Sequence, residues 1–280
     1  MKHATRHAEC SMSFQLITDL DEGAAASLQD RALHFGDGLF ETMRMREGKI
    51  ALWEAHYDRL QRGAARLRIG CPQNDHLRAA LERYRDESDD LIIKLILSRG
   101  AGGRGWAWRD DMQPIVFLMH YPLKLPQEVE PIEVAVIENA LPINPTLAGI
   151  KHLNRLDYIL ASERLAAKPE YNEALLGDRQ GNLVEGIAHN LFFEMDGTLH
   201  TPLLDRCGVE GVMRQSILKK LKHAGKPVTI GRYREQDLTR AGGVVYCNSV
   251  HGIRPVVRID DKAYPSNALA NTLQALFDAD

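Results

Sequence analysis

Four kinds of group in this chain could do chemistry if the fold brought them together: a lysine, a carboxylate, arginines and backbone amides at a helix start. The lysine is Lys151, in Gly149-Ile150-Lys151-His152-Leu153-Asn154-Arg155. This stretch closes a proline-bearing passage (Pro142, Pro145) and leads into a run with helical character, Leu153 to Ala167. A lone lysine at such a junction is ordinarily solvated, so any chemistry must come from distant partners. Glu185 lies between apolar neighbours in Asn182-Leu183-Val184-Glu185-Gly186. If those neighbours bury it, it needs a cationic or protonated partner; on an edge strand it is a surface carboxylate. Asn190 is polar within the apolar His189-Asn190-Leu191-Phe192-Phe193.

Two glycine-rich passages could meet anions. Gly208-Val209-Glu210-Gly211-Val212-Met213-Arg214 feeds a helix, Gly211 to Ala224. Free amides and the helix dipole favour negative charge at such a start. Asn248-Ser249-Val250 adds a hydroxyl at a strand end. Each also reads as an ordinary turn or cap. Ser98-Arg99-Gly100-Ala101-Gly102-Gly103-Arg104-Gly105 has neither phosphate-loop nor dinucleotide spacing. It is either a connector or a loop that aims Arg104, whose planar fork suits a carboxylate. The histidines are scattered and support no Ser-His-Asp arrangement. Cys10, Cys71, Cys207 and Cys247 form no C-x-x-C pair, and histidines do not flank them at zinc-finger spacing, which argues against structural zinc. Four thiols of this kind fit a reduced, cytosolic protein, with Cys71 and Cys247 as packing residues.

The elements that must position these groups alternate irregularly. Phe14 to Ile17 reads as a strand, and Leu39, Glu41 and Met43 alternate before a Glu47-Gly48 turn, a hairpin pattern. Trp53, His56, Leu60, Ala64 and Leu67 recur at helical steps, with Arg59 on the same helix. A second helix runs from Asn74, as N-cap, to Tyr84. Strands follow at Leu91 to Leu97 and Pro114 to Tyr121. Pro122 to Pro131 holds three prolines and reads as a linker. Beyond it come strands at Ile132 to Ile137, Glu173 to Leu176, around Gly186 and at Thr198 to Thr201 after an Asp196-Gly197 turn. Further strands lie at Pro227 to Gly231, Gly243 to Cys247 and Ile253 to Ile259, with a helical turn Asp237 to Arg240 and a final helix Ser266 to Phe277. Mixed elements without a βαβ repeat predict an α+β fold. The expected division is a smaller N-terminal domain 1–121, a linker 122–131 and a larger domain 132–280 carrying Lys151.

The chain has 280 residues, enough for about two domains. A net charge of −3 gives no general case for nucleic acid or membrane binding. No apolar run approaches the ~18 residues of a membrane span. Residues 1–11 lack the apolar stretch of a secretory signal and read as a disordered extension.

In this order the pieces resemble the class IV aminotransferase family, the fold-type IV pyridoxal phosphate (PLP) enzymes, from about Phe35 to Pro255. The strings that carry the resemblance are Phe35-Gly36-Asp37-Gly38-Leu39-Phe40-Glu41-Thr42, Ser98 to Trp106, Ala148-Gly149-Ile150-Lys151-His152-Leu153-Asn154-Arg155-Leu156 and Gly208 to Gln215. The second and third point to the family's lyase branch, which splits 4-amino-4-deoxychorismate; Met213, where many transaminases carry threonine, points the same way. The resemblance implies a two-domain fold, PLP as cofactor and a cytoplasmic homodimer acting on a small molecule in folate biosynthesis. It implies that Lys151 anchors PLP covalently and shuttles protons, and that Glu185 meets the pyridine nitrogen with Asn190 near the ring. The phosphate would fall to Arg59, Val212, Met213, Ser249 and Val250. Arg104 would meet a substrate carboxylate, and Arg44, Asn248 and Trp106 would line the substrate side; many lyase relatives have tyrosine at the last position. The alternative within the family is a D-amino-acid or branched-chain aminotransferase.

Overall fold

The computed structural model describes residues 14–19, 21, 25–85, 90–126, 129–264 and 266–278. The expected disordered extension, 1–11, lies outside them. The first part of the chain runs β1 (Gln15–Thr18), α1 (Arg31–Phe35), β2 (Gly38–Arg46), β3 (Lys49–Ile50), α2 (Trp53–Leu67), α3 (Asn74–Leu81), β4 (Leu91–Ser98) and β5 (Ile115–Pro122). Its five strands form one sheet in the order β1-β5-β4-β2-β3.

Alternation in β2 explains what covers this sheet. Leu39, Glu41, Met43 and Met45 point to one face and are all buried, while Phe40, Thr42 and Arg44 point to the other and are half-buried. α2 lies on the first face through Trp53, His56, Arg59, Leu60, Gly63 and Ala64, a stripe at helical spacing. A Cβ on Gly63 would come within 2.9 Å of the Leu39 side chain, so glycine sets how closely α2 approaches β2. Each large apolar side chain buried here contributes roughly 1.5–3 kcal/mol.

The second part runs β6 (Ile132–Leu141), α4 (Leu156–Ala166), β7 (Glu173–Asp178), β8 (Leu183–Glu185), β9 (Asn190–Met195), β10 (Thr198–Pro202), α5 (Val212–His223), β11 (Val228–Gly231), α6 (Glu235–Leu238), β12 (Gly243–Asn248), β13 (Gly252–Ile259), β14 (Lys262–Ala263) and α7 (Ala268–Asp278). Its sheet has the order β11-β10-β9-β12-β13-β6-β7-β8, with β14 on β13. One face packs Leu191, Phe193, Val244 and Tyr246 with Tyr233, Leu238 and Tyr264. The other packs Phe192, Val245 and Cys247 under Ile217 and Leu221 of α5 and Leu269 and Leu273 of α7. No helix among the described residues is long and apolar enough to cross a membrane.

Four local differences from the sequence reading have physical reasons. α1 forms within the glycine-punctuated stretch because the Asp30 side chain accepts the Ala32 amide at 2.7 Å and caps it. The second helix takes Gln73, not Asn74, as N-cap; Asn74 Oδ1 instead accepts from the Trp53 indole at 2.7 Å. The short helix α6 begins before Asp237, because that carboxylate accepts the Arg234 amide at 2.8 Å. α4 starts at Leu156 rather than Leu153, since Lys151 to Leu153 are drawn into pairing with β2.

Candidate active site

Three loops converge on the start of β2. The Lys151 loop pairs with it directly: the Phe40 amide donates to the Lys151 carbonyl at 2.9 Å and the Leu153 amide to the Gly38 carbonyl at 3.0 Å. The same loop is tied to the 208–211 turn by Gly149 N to Gly208 O and Glu210 N to Gly149 O, both at 3.0 Å. The 248–251 turn docks by a hydrogen bond from Ser249 Oγ to the Thr42 carbonyl at 2.9 Å. The two sheets therefore meet where the candidate lysine, amides and hydroxyl lie.

Lys151 is surrounded by protein yet keeps part of its side chain open. Its Nζ sits 4.4 Å from the centre of the Phe40 ring. Burial, then the nearby Arg59 and Arg155 guanidiniums, push its pKa down to about 7, against the weaker pull of Glu41 and Glu185. At neutral pH a large fraction is thus the free amine that nucleophilic and base chemistry needs. Arg155 also straps the loop, donating to the carbonyls on either side of Lys151: His152 at 2.9 Å and Ile150 at 3.1 Å. The adjacent His152 is pushed down to about 4 by burial and Arg155, so it is neutral at pH 7.

Glu185 is 3% exposed at the end of β8. It accepts from Tyr158 Oη at 2.5 Å, from Asn190 Nδ2 at 2.9 Å and from the Val209 amide at 3.0 and 3.1 Å. Burial still outweighs these donors and holds its carboxyl above the ordinary value. A buried carboxylate in that state is poised to meet a further positive or proton-bearing group. Asn190 links it to the next turn, since its Oδ1 accepts the Gly211 amide at 3.0 Å. A Cβ on Gly211 would fall 2.0 Å from that oxygen, so only glycine fits there.

Arg59 is 6% exposed and shares Glu41 with His56. Its Nε donates to Glu41 Oε1 at 2.8 Å and its Nη2 to Oε2, while His56 Nδ1 lies 2.6 Å from Oε2. Burial opposes the charge, but Arg59 and His56 hold Glu41 at about 2. The remaining nitrogen, Nη1, reaches the Glu210 carbonyl at 3.3 Å, just before the start of α5. Gly211 provides no side-chain cap there, so a fixed guanidinium and the bare amides of Val212 and Met213 stand side by side. A cavity of about 830 Å³ opens past Arg59 and Val212 toward Trp53 and Lys219; Lys151 is not in its lining.

The other candidates are placed differently. Arg104 stands exposed on the loop after β4, whose backbone is gripped by Arg31: its Nη1 donates to the Gly105 carbonyl and its Nη2 to the Trp106 carbonyl, each at 3.0 Å. Trp106 is 82% exposed and packs on Phe35 at 5.1 Å between ring centres. Arg44 is paired with Asp90 at 2.6 Å. The Asn248 side chain is engaged within its own neighbourhood, on His189, Ala188, Val250 and His251. The sequence reading missed Tyr158, Arg155, Glu41 and His56. Glu41 carried a usable signal: it alternates in phase with Leu39 and Met43, which places a carboxylate on an apolar face.

A half-buried lysine with its pKa pushed down to about 7, a buried carboxylate held above its ordinary value and an arginine beside an uncapped helix start, brought together where the two sheets meet, define a class of enzyme site. The chain belongs to the class IV aminotransferase family, whose sequence profile matches residues 38–259. Among similar proteins, aminodeoxychorismate lyase of Vibrio harveyi is 33% identical over 82% of this chain and 85% of its own. A D-alanine aminotransferase of Listeria monocytogenes is 30% identical over 85% of this chain and 84% of its own. The crystal structure of 4-amino-4-deoxychorismate lyase from Pseudomonas aeruginosa superposes with a TM-score of 0.83 at 36% identity, covering 92% of this chain and 96% of that one.

Proposed function

We propose that this protein is a PLP-dependent lyase that converts 4-amino-4-deoxychorismate into 4-aminobenzoate and pyruvate. The observation that carries the reading is Lys151: an amine near half-neutral at pH 7, set between the Glu185 cluster and the Arg59–α5 cluster. The donor set fits the cofactor at three points. Arg59 and the Val212 and Met213 amides suit a phosphate dianion, Glu185 suits a pyridine nitrogen, and Lys151 suits an aldehyde. Once the substrate's amine has taken the place of Lys151 on it, PLP held here would supply an electron sink for the carbon that bears that amine. Lys151 anchors the cofactor and then moves the proton at that carbon. Glu185, fixed by Tyr158, Asn190 and Val209, keeps a proton on the ring nitrogen. Arg59, the α5 amides, Ser249 and Val250 hold the phosphate. Arg104 supplies a carboxylate contact beside Trp106, and Arg44 lines the substrate side. Asn248, engaged on its own turn, has the least geometric support as a substrate contact.

The two products together contain all the atoms of the substrate, so no amino acceptor is required. The lyases of V. harveyi and P. aeruginosa, at 33% and 36% identity, favour this outcome over transamination. We read the two sheets as two domains joined by residues 122–131, working in a cytoplasmic homodimer. Exposed Leu33, Trp106, Leu156 and Ile159 offer apolar surface for such pairing. Incubation with 4-amino-4-deoxychorismate and no keto acid is expected to give 4-aminobenzoate and pyruvate in equal amounts. Amino transfer that requires a keto acid, with no 4-aminobenzoate, would overturn the assignment.

A further inference from the structure

Behind the turn that carries Ser249 and Val250 runs a line of polar side chains that the reaction above does not use. Glu173, at the start of β7, is 3% exposed. Its carboxylate accepts the amides of Ala174, Ile187 and Ala188 at 2.8, 2.9 and 3.2 Å, and lies 2.5 Å from Nδ1 of His189. Burial works against its charge, yet His189 and these amides hold its carboxyl below the ordinary value. A carboxylate only accepts, so Nδ1 of His189 carries the proton. In the neutral ring Nε2 is then an acceptor, and Asn248 Nδ2 lies 2.9 Å from it. The orientation of that amide is fixed from its other end: Asn248 Oδ1 accepts the amides of Val250 at 3.0 Å and His251 at 2.7 Å.

We propose that Glu173, His189 and Asn248 form a positioning relay that shapes the Ser249–Val250 turn for an anionic group. The proposal rests on the reading that this turn receives the cofactor phosphate. A proton on Nε2 would set N–H against N–H; the Asn248 amide would have to turn, and the caps on Val250 and His251 would be lost. Glu173 faces His189 from β7 and Tyr246 from β12, at 6.0 Å between ring centres. His251 faces it from the turn at 6.2 Å, with Arg254 and Arg44 charged beyond His251. None of the three relay residues touches the reacting atoms, so they act through the turn.

Substitution at His189 separates the relay from the fold. His189→Gln keeps a donor toward Glu173 and an acceptor toward Asn248; His189→Ala keeps neither. Dissociation constants for PLP are read by absorbance on protein stripped of cofactor, at pH 8. At pH 8 His189→Ala is expected to bind PLP about fivefold or more weakly, and His189→Gln within about twofold of the unaltered protein. Pyridoxal, which lacks the phosphate, should bind the unaltered protein and His189→Ala alike, a result that a general loss of structure would not give. Unchanged affinity in His189→Ala, equal losses for PLP and pyridoxal, or a loss in His189→Gln as large as that in His189→Ala would each overturn the relay. If the unaltered protein takes up no PLP, or binds pyridoxal as tightly as PLP, the cofactor reading itself fails and the relay with it.

Discussion

Two arginines carry the anion-binding part of the proposed reaction, and they are built on opposite terms. Arg59 is locked: both oxygens of Glu41 hold it, His56 steadies Glu41, and α2 and β2 enclose all three. The Arg104 side chain has no partner among the described residues while its loop is fastened, because Arg31 grips the carbonyls that follow it and pairs with Asp37 at 2.8 Å, which Arg99 also holds. The first arrangement suits a group that never varies, such as a cofactor phosphate, since the ordering cost is met on folding. The second leaves the side chain to be ordered by whatever it meets, which suits substrate selection. In the proposed reaction the cofactor contact is thus held in the enclosed wall and substrate selection in the exposed loop.

The largest break in this comparison comes from the residue between the walls. Lys151→Ala is expected to leave less than about one per cent of turnover and to abolish the absorbance of covalently held PLP. Residual turnover well above that level would remove Lys151 from its role. Next is the enclosed wall. Arg59→Ala strands the Glu41 charge, so a stability loss of about 3 kcal/mol is expected alongside a cofactor affinity reduced roughly 100-fold. Adding Glu41→Gln should restore most of the stability in a denaturant titration and none of the affinity. If both recover together, Arg59 is a structural brace and not a phosphate ligand.

The exposed loop should respond in a different parameter. Arg104→Ala is expected to raise KM for 4-amino-4-deoxychorismate about tenfold while PLP affinity stays unchanged. A loss of cofactor affinity would erase the distinction between the two arginines. Arg104→Lys tests it further, because a point charge keeps attraction but not the bidentate fit.

How much of this could be read from the chain alone follows from the range of each interaction. α2 was legible to the residue because Trp53, His56, Leu60 and Ala64 repeat within one helix. The alternation of β2 was legible too, and with it the burial of Glu41, although its pairing with Arg59 and His56 requires α2 to lie on β2. Tyr158 and Arg155 were not legible. Their positions depend on where α4 begins, and that is set by pairing of Lys151 to Leu153 with β2, more than a hundred residues earlier in the chain. The sequence pattern at 153–167 is helical throughout, and tertiary pairing overrides its first turn. The meeting of the 149–153, 208–211 and 248–251 segments leaves no local signature either. Family resemblance supplied it, and it did so without Tyr158, which steadies Glu185 from α4.

The smallest effect is the one that reports most directly on Lys151 without any cofactor present. Its pKa is about 7 in the folded chain against 10.5 ordinarily. Between those values the unfolded chain carries a proton that the folded chain does not, so stability rises with pH across this window and is lowest, on this account, at and below pH 7. Lys151→Met removes the group. The cofactor-free variant should therefore melt about 3 °C or more above cofactor-free unaltered protein at pH 6.5, with the gap closing toward pH 10. Glu41 does not interfere, because its depressed pKa of about 2 places its loss of stabilisation at acid pH, as pH falls from the ordinary carboxylate range through that value. A gap that stays constant with pH would mean that Lys151 remains fully charged when folded, and the free amine on which the reaction depends would be absent. Arg104→Met gives the matching control from the exposed loop: it should shift melting by less than about 1 °C at every pH, because nothing is lost there by solvating the charge.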